Sequence, residues 1–528
     1  MMLLIAVGAA LGMVIAARSI VHFFQLESYQ FPGYYRTLKR NLLRALLPGV
    51  ILSLVLLGLY FALSAWREQW FFGLAWLLVP GIAGWGIRTA MMDRKAKKPL
   101  AFTPRVKRLY FVSLLVYVLG LLGLLSLMKE STAALIVISL MPLFLPVWVA
   151  LAGLLAWPVE KLISELYFHD AQRILKKHPD LIKIGITGSY GKTSVKYILG
   201  TMLAEKYQTL ITPASFNTPM GVTKVIRTKL MPAHQVFVAE MGARHVGDIK
   251  ELCRLVHPTL GVITSVGPQH LDTFKTVERI KNTKYELISA LPRTGVSFFP
   301  DDGAICRELY DKTKKEKHIV SLNKTDDADV WAENVTVSER GSSFMLCTPS
   351  GSIQCETKLL GEHNIQNILL AASVCLKLGL TLRQLRNGIG RIQPVEHRLQ
   401  LLPNPGGMTI IDDAFNSNPR GAEAALKVLA QFPARRIIIT PGMVELGAEE
   451  ADFNRSFGEK MAASVDVAIL VGANHTAPIV EGLKAAGFDE SNIHVVRSLN
   501  DASALLRQIG HKGDTVLFEN DLPDHYQE

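Results

Sequence analysis

Hydrophobic positions are spread unevenly along this 528-residue chain. Residues 1–157 hold five long apolar runs, near 3–22, 43–64, 69–88, 109–128 and 133–156. Each approaches the roughly 20 residues with which a helix crosses a bilayer. Five in succession, each poor in charge, predict an α-helical membrane domain rather than a set of buried core helices. No basic segment precedes the first run, so a cleaved leader is not expected. After Pro158 the pattern changes. Leu162, Leu166, Ala171 and Ile174 share an approximate apolar stripe, with Glu160, Lys161, Arg173, Lys176 and Lys177 at polar positions. This spacing predicts an amphipathic connecting helix over 158–180, lying near the membrane surface.

From 181 onward, short apolar runs alternate with helical periodicity. Strands are expected at 181–187, 208–212, 235–240 and 260–265, and helices at 192–206, 245–257 and 277–291. Such alternation reads as βαβ units and a doubly wound parallel sheet. Segment 295–360 is richer in β-branched and polar residues and reads as a small β-rich insertion. A helix is expected from Asn364 to Leu378, then a second αβ alternation over 407–521, with strands near 408–412, 435–440, 466–471, 493–496 and 515–518. The expected architecture is therefore a membrane domain over 1–157, a connector over 158–180, an α/β ATP-binding domain over 181–400 with the 295–360 insertion, and a smaller Rossmann-like αβ domain over 401–528.

Charge adds a topology. Residues 1–157 carry 15 Lys and Arg against 4 Asp and Glu, whereas the rest of the chain carries 42 of each sign. The excess lies in two segments: Arg36, Lys39 and Arg40 in 23–42, and Arg94, Lys95, Lys97, Lys98, Arg105, Lys107 and Arg108 in 89–108. The alternate short loops carry only Arg67 and Lys129. The positive-inside rule puts the basic loops in the cytoplasm, the N-terminus outside and everything after Pro158 inside, in a plasma membrane. The basic balance is thus a membrane signal and not a nucleic-acid footprint, which needs a basic patch on the soluble part. The five cysteines, Cys253, Cys306, Cys347, Cys355 and Cys375, form no C-x-x-C pair and read as reduced structural thiols.

The candidate chemistry centres on Ile184-Gly185-Ile186-Thr187-Gly188-Ser189-Tyr190-Gly191-Lys192-Thr193-Ser194. An apolar strand breaks into a glycine turn and restarts as a helix. Backbone N–H groups and a helix N-terminus then face an anion, Lys192 reaches the outer phosphates, and Thr193 is placed to ligate Mg²⁺. A strict Walker A motif needs glycine at 186, where this chain has isoleucine, so the loop is the shorter T-G-x-x-G-K-T form. Glu240, at the end of a neighbouring apolar strand, suits either a Mg²⁺ ligand or a capping or salt-bridged carboxylate. His270 follows another strand and by itself reads as a hydrogen-bonded loop histidine. Lys284 by itself reads as a solvated helix lysine.

Together with Asn217-Thr218-Pro219-Met220-Gly221-Val222, Glu240-Met241-Gly242-Ala243, Gly267–Leu271, Lys284-Tyr285-Glu286, Gly361-Glu362-His363-Asn364-Ile365-Gln366-Asn367, His397-Arg398-Leu399 and Asp412–Pro419, these residues resemble the Mur ligases in order and spacing. The resemblance covers about 181–445 and is strongest to members that add D-alanyl-D-alanine to a muramoyl tripeptide. It implies a P-loop central domain, a C-terminal αβ domain, and ATP-dependent amide formation through an acyl phosphate. It further implies that Gly188, Ser189, Tyr190, Gly191, Lys192, Thr193 and Ser194 hold ATP phosphates. Thr193 and Glu240 would serve one Mg²⁺, with His270 and Lys284, carbamylated in the family's manner, at a second site. Asn364 and Asn367 match positions near adenine, Arg398 the γ-phosphate arginine, Asp412 or Asp413 a carboxylate near the ribose, and Asn217 and Thr218 a substrate-side loop. Lys192, Lys284, His270 and Arg398 are the expected catalytic set.

Two features depart from the family pattern. Apolar runs stand where such ligases carry a soluble UDP-sugar domain, and Phe518-Glu519-Asn520-Asp521-Leu522-Pro523 replaces a Lys-Gly-Ser-Arg stretch after the last core strand. The expected partners are therefore the bilayer, ATP, a UDP-linked or lipid-linked muramoyl peptide, and an amino acid or dipeptide acceptor, with no nucleic acid. The same chemistry in another envelope polymer, such as poly-γ-glutamate, is the alternative. A P-loop-driven transporter fits less well, because the apolar runs are nearly free of charge. An inactive scaffold fits less well, because no matched ligand is missing.

Overall fold

The computed structural model describes residues 1–67, 69–91, 99–128, 132–214, 216–338, 341–402, 406–414, 418–444 and 446–520. Arg94, Lys95, Lys97 and Lys98, Lys129, the Phe415-Asn416-Ser417 part of the acidic motif and Asp521-Leu522-Pro523 lie outside the described residues. The chain forms two compact units, Met1–Leu166 and a second that begins at Tyr167.

The first unit is helical. Four helical stretches, Leu42–Trp66, Trp70–Ala90, Pro104–Leu127 and Thr132–Lys176, are long and apolar enough to cross a membrane. The first of the five expected runs is not one straight helix. It is a pair, Met2–Ala16 and Arg18–Leu26, bent by 49°, and it makes a fifth span only if the pair counts as one. Small residues bring the helices Met2–Ala16 and Trp70–Ala90 together. A Cβ on Gly8 would lie 1.9 Å from the Trp76 carbonyl oxygen, and one on Gly12 2.6 Å from that of Pro80. Close backbone approach through glycine and alanine is how apolar helices gain contact where hydrophobicity alone gives no preference.

The expected separate connector over 158–180 is not seen. Leu145–Lys176 is one unbroken helix, because Pro158 sits within it without ending it. Glu160, expected at a polar position, is buried and pairs with Arg108 through two hydrogen bonds at 2.5 and 2.8 Å. From Tyr167 the helix belongs to the second unit, where Phe168, Ala171 and Leu175 share a core with Val222, Val225 and Ile226. Asp170 pairs with Arg227 at 2.6 Å.

The second unit holds two sheets. The first has nine strands: β1 Ile182–Thr187, β2 Thr209–Ile211, β3 Val236–Glu240, β4 Leu260–Ile263, β5 Val296–Pro300, β6 Glu316–Ser321, β7 Val330–Ser338, β8 Gly341–Thr348 and β9 Gly351–Thr357, in spatial order β2-β3-β1-β4-β5-β6-β7-β8-β9. Pairing is parallel from β2 to β7 and antiparallel from β7 to β9. Segment 295–360 is therefore no separate insertion. Its first strands continue the parallel sheet around the helix Ile305–Lys312, and only β7 to β9 form a meander. The fully buried β3, β4 and β5 explain why this part reads as continuous apolar runs rather than as alternation.

The second sheet comprises β10 Gln400–Leu402, β11 Thr409–Asp413, β12 Arg436–Thr440, β13 Val467–Val471, β14 Ile493–Val496 and β15 Thr515–Glu519, ordered β10-β11-β15-β12-β13-β14. All pairs but β10–β11 are parallel. All five cysteines are free and buried.

Candidate active site

β1 ends at Thr187, the turn 188–191 follows, and the helix Lys192–Leu203 begins. Gly191 has φ +78°, a left-handed conformation that favours glycine, and a Cβ there would come within 2.9 Å of Asn367 Oδ1. The turn is fastened to the loop after β4. The Ser189 N–H donates to the Ser265 carbonyl at 2.8 Å and the Tyr190 N–H to Ser265 Oγ at 2.8 Å. Ser189 Oγ donates to the Gly267 carbonyl at 2.9 Å, and the Tyr190 hydroxyl donates to that of Pro268. Ser189 and Tyr190 thus shape the loop through side-chain bonds of their own. Lys192 curls back onto it, its Nζ donating to the Gly188 and Ser189 carbonyls at 2.6 and 2.9 Å.

Glu240 ends β3, which lies beside β1, and is 1% exposed. Thr193 Oγ1 donates to its carboxylate at 3.1–3.2 Å and Asn217 Nδ2 at 3.1 Å. Lys196, one helical turn beyond Lys192, donates to Glu240 Oε2 at 2.9 Å and is fully buried. Burial alone would raise the Glu240 pKa, but the Lys196 and Lys192 ammonium groups hold it below the ordinary value. Asn217 is held close by Gly242, whose N–H donates to the Asn217 carbonyl at 2.8 Å. Thr218 serves as a cap instead: its hydroxyl accepts from the Gly221 N–H at 3.3 Å to start the helix Pro219–Lys229.

Cations crowd this place. Burial pushes the Lys192 pKa down to about 8, with Glu240 opposing and Arg398 adding to the fall. Arg398 is lowered by burial, against the pull of Asp413 and Glu240. It lies between two left-handed non-glycine residues, His397 at φ +58° and Leu399 at φ +45°. Such outliers persist where the surroundings over-determine them, and they cluster at working sites. Lys284, on the helix Val277–Ala290, is 2% exposed rather than solvated. Its pKa is driven well below the ordinary value by burial first and by the Lys192 charge second. The Asp248 and Glu286 carboxylates oppose that fall more weakly.

The remaining expected residues fall around this centre. Asn364 and Asn367 lie on the first turns of the helix Glu362–Lys377, with Asn367 against Gly191. Asn364 Nδ2 donates to the Leu360 carbonyl at 2.9 Å. Asp412 is occupied by His397 Nδ1 at 2.7 Å and the Ala414 N–H at 3.1 Å. Asp413 accepts from the Leu399 N–H at 3.1 Å, and burial raises its pKa to about 6 against the pull of Arg398. His270, at φ +52°, starts the short helix Leu271–Phe274 in the loop that also holds Ser265 and Gly267. Among the described residues no three His, Cys, Asp or Glu side chains gather as a metal-binding group. The donors present, the Glu240 carboxylate and the Thr193 hydroxyl, fit one hard, oxygen-seeking cation.

Residues 186–375 match the Mur ligase middle domain, and residues 397–519 match the Mur ligase glutamate ligase domain. The UDP-N-acetylmuramoyl-tripeptide–D-alanyl-D-alanine ligase of Mycobacterium tuberculosis is 30% identical over 357 residues, 63% of this chain and 69% of that protein. The chain belongs to the Mur ligase family. The Escherichia coli ligase of the same name is 31% identical over 290 residues, 55% of this chain and 64% of that protein. The chain thus spans about two thirds of the length of the curated relatives it matches. A crystal structure of MurF from Acinetobacter baumannii superposes with TM-score 0.62 at 26% identity, covering 68% of this chain and 77% of that one. Both family matches lie within the second unit.

One residue of this candidate site went unnoticed in the sequence. Lys196 carries no motif of its own. Its signal was the i, i+4 spacing from Lys192 combined with buried Val195, Ile198 and Leu199 around it, which places a lysine on a helix face that has no water to reach.

Proposed function

We propose that this chain is a membrane-anchored, ATP-dependent ligase that joins a carboxylate of a muramoyl-peptide precursor to the amine of an amino acid or dipeptide. The observation that carries this reading is the crowding of Lys192, Arg398 and buried Lys284 at a strand–loop–helix anion cradle, where Glu240, the acid beside Lys192 and Arg398, is already paired with Lys196. Cations crowded in this way favour the arrival of further negative charge, and a nucleoside triphosphate supplies it. The Escherichia coli and Mycobacterium tuberculosis relatives, UDP-N-acetylmuramoyl-tripeptide–D-alanyl-D-alanine ligases, suggest the precursor class.

In this reading a substrate carboxylate oxygen attacks the γ-phosphorus as the bond to ADP breaks, giving an acyl phosphate. The amine then attacks the acyl carbon, phosphate leaves, and the amine loses a proton. Lys192 and Arg398 stabilise charge on the moving phosphoryl group, and the loop amides orient it. A magnesium ion held by Thr193 and Glu240 would neutralise phosphate charge. Lys284 is suited to carbamylation: its lowered pKa supplies the neutral amine that adds CO₂, and the resulting carbamate replaces a repelled ammonium with an anion facing Lys192. His270 is assigned to the same second cation site. Asn364, Asn367 and Asp413 are assigned to the nucleoside, and Asn217 to the carboxyl substrate.

The four long apolar helices, with the bent pair as a fifth span, support the anchor, and the basic loops support a cytoplasmic catalytic unit. The deciding experiment is ATP turnover by the detergent-solubilised full chain across a panel of muramoyl peptides and amino donors, with mass detection of the amide. A new amide appearing with ADP is the expected result. ATP hydrolysis without any amide across the panel would overturn the ligase reading.

A further inference from the structure

Lys196 and Glu240 are the most deeply buried ion pair in the second unit, with side chains 0% and 1% exposed. A pair this dry is a poor device for stability, because desolvating both charges offsets most of their attraction. Its partners point to a different role. The Lys196 ammonium also donates to the Ala214 carbonyl. Ala214 has φ +42°, in the left-handed region that a non-glycine residue adopts at a cost. The Ala214 N–H donates to the Tyr197 hydroxyl at 3.0 Å, so two adjacent side chains of one helix hold the N–H and the carbonyl of the same strained residue. Three residues after Ala214, Asn217 comes back to Glu240 through its Nδ2 at 3.1 Å. The result is a closed ring of contacts: Lys196 to Glu240, Glu240 to Asn217, Asn217 along the chain to Ala214, and Ala214 back to Lys196.

We propose that Lys196 is a positioning residue that ties the cation-ligating carboxylate of Glu240 to Ala214 and, through Asn217, to the start of the substrate-side loop, so that the cation site is formed only when Ala214 and Asn217 are in place. This inference rests on the metal reading of Thr193 and Glu240 given above. Lys196 touches neither the phosphate cradle nor the moving group. Without its ammonium partner and the gripped turn, Glu240 keeps the Thr193 hydroxyl, while Asn217 is carried by the released segment. Tyr197 carries the second grip on the turn and leaves the ion pair itself intact.

The test uses Mn²⁺ as the probe, read by electron paramagnetic resonance on the full-length detergent-solubilised protein with ADP present. ADP affinity in EDTA is measured in parallel. For Lys196→Met, Mn²⁺ affinity is expected to fall at least tenfold, while ADP affinity without metal stays within about threefold of the parent, since the loop and Lys192 are untouched. For Tyr197→Phe, a smaller loss of about threefold in Mn²⁺ affinity is expected. Unchanged Mn²⁺ affinity in a folded Lys196→Met protein would overturn the assignment, as would an equal loss of ADP and Mn²⁺ binding, which marks a general structural role. If Lys196→Met does not fold, Tyr197→Phe decides alone, with an unchanged Mn²⁺ affinity overturning the proposal. A parent protein that binds ADP but no Mn²⁺ would instead overturn the metal reading on which the inference rests.

Discussion

The carboxyl ends of the two parallel sheets share a geometry and carry opposite charge. In the first sheet, β1 and β3 deliver Lys192, Lys196 and Glu240, and cations outnumber the single acid. In the second, β11 ends in Asp412 and Asp413, and β15 ends in fully buried Glu519, which accepts from Thr440 Oγ1 of β12 at 2.8 Å. Ligands of open α/β sheets collect at such ends. The same architecture thus makes an anion cradle in one place and an acidic edge in the other. An ATP-driven amide synthesis needs both, a seat for phosphates and a seat for an amine. Arg398, in the strained turn between the sheets, is drawn to Asp413 of one edge and Glu240 of the other.

The sharpest way to break this comparison is to remove charge from the cationic edge. Lys192→Ala is expected to lower amide formation by about 10² or more, the usual result of losing a preorganised charge at a transferring phosphoryl group. Amide yield per ATP and a thermal melt would be followed together. Near-parent ligation would refute the cradle. Lys284→Ala is expected to cost nearly as much, with partial return when a short carboxylic acid such as acetate is added to the buffer. Rescue by acetate but not by a short amine would show that an anion, not the ammonium, is needed at 284. Full activity without rescue would return Lys284 to the role of a buried structural lysine.

How much of this contrast was legible follows from how local each signal is. The phosphate turn is contiguous, and glycine, lysine and threonine at fixed offsets announce it, so β1 and the helix after it fell within a few residues of expectation. Lys284 was not legible from its neighbours. Its helix has lysine at 281 as well, and only the fold shows that Lys281 faces Glu278 and Glu308 at the surface while Lys284 turns inward. The β-rich reading of 295–360 caught the strands but not their membership in the first sheet, because parallel pairing between distant strands leaves no mark on local periodicity. Pro158 suggested a boundary, yet its helix runs on to Lys176, since apolar surroundings on one side and packing of Phe168 and Leu175 on the other hold both halves.

A smaller effect is expected at the acidic edge. Glu519→Gln keeps the shape and the Thr440 contact while removing one buried charge. If that edge seats the amine, the KM of the amino donor should rise about tenfold, roughly the worth of one charge-assisted contact, with ADP affinity unchanged. Initial rates against donor concentration at saturating ATP would measure it. A change in ADP affinity with no change in donor KM would mean that the two edges are not separate seats.

The smallest expected effect concerns pH and lies where the two sheets meet. His363 opens the helix that carries Asn364 and Asn367, and Gly361 and Val428 crowd it, so that a Cβ on Gly361 would come within 2.9 Å of both. Burial lowers its pKa to about 4, from an ordinary value near 6.5. The folded state therefore binds this proton less readily than the unfolded chain. Its contribution to stability is complete above pH 6.5 and is lost as pH falls through 4, on the order of 2–3 kcal/mol over that range. At about 2–4 °C per kcal/mol, acidification should lower the melting temperature of the α/β unit by several degrees. His363→Gln should flatten that slope without altering the melt at pH 8 by the same amount. Melts at half-unit steps from pH 8 to 4.5 would read it, and parallel slopes for parent and variant would assign the acid sensitivity elsewhere. Because Asn367 of the same helix abuts Gly191, loss of ADP affinity in the parent should accompany the acid destabilisation and precede global unfolding.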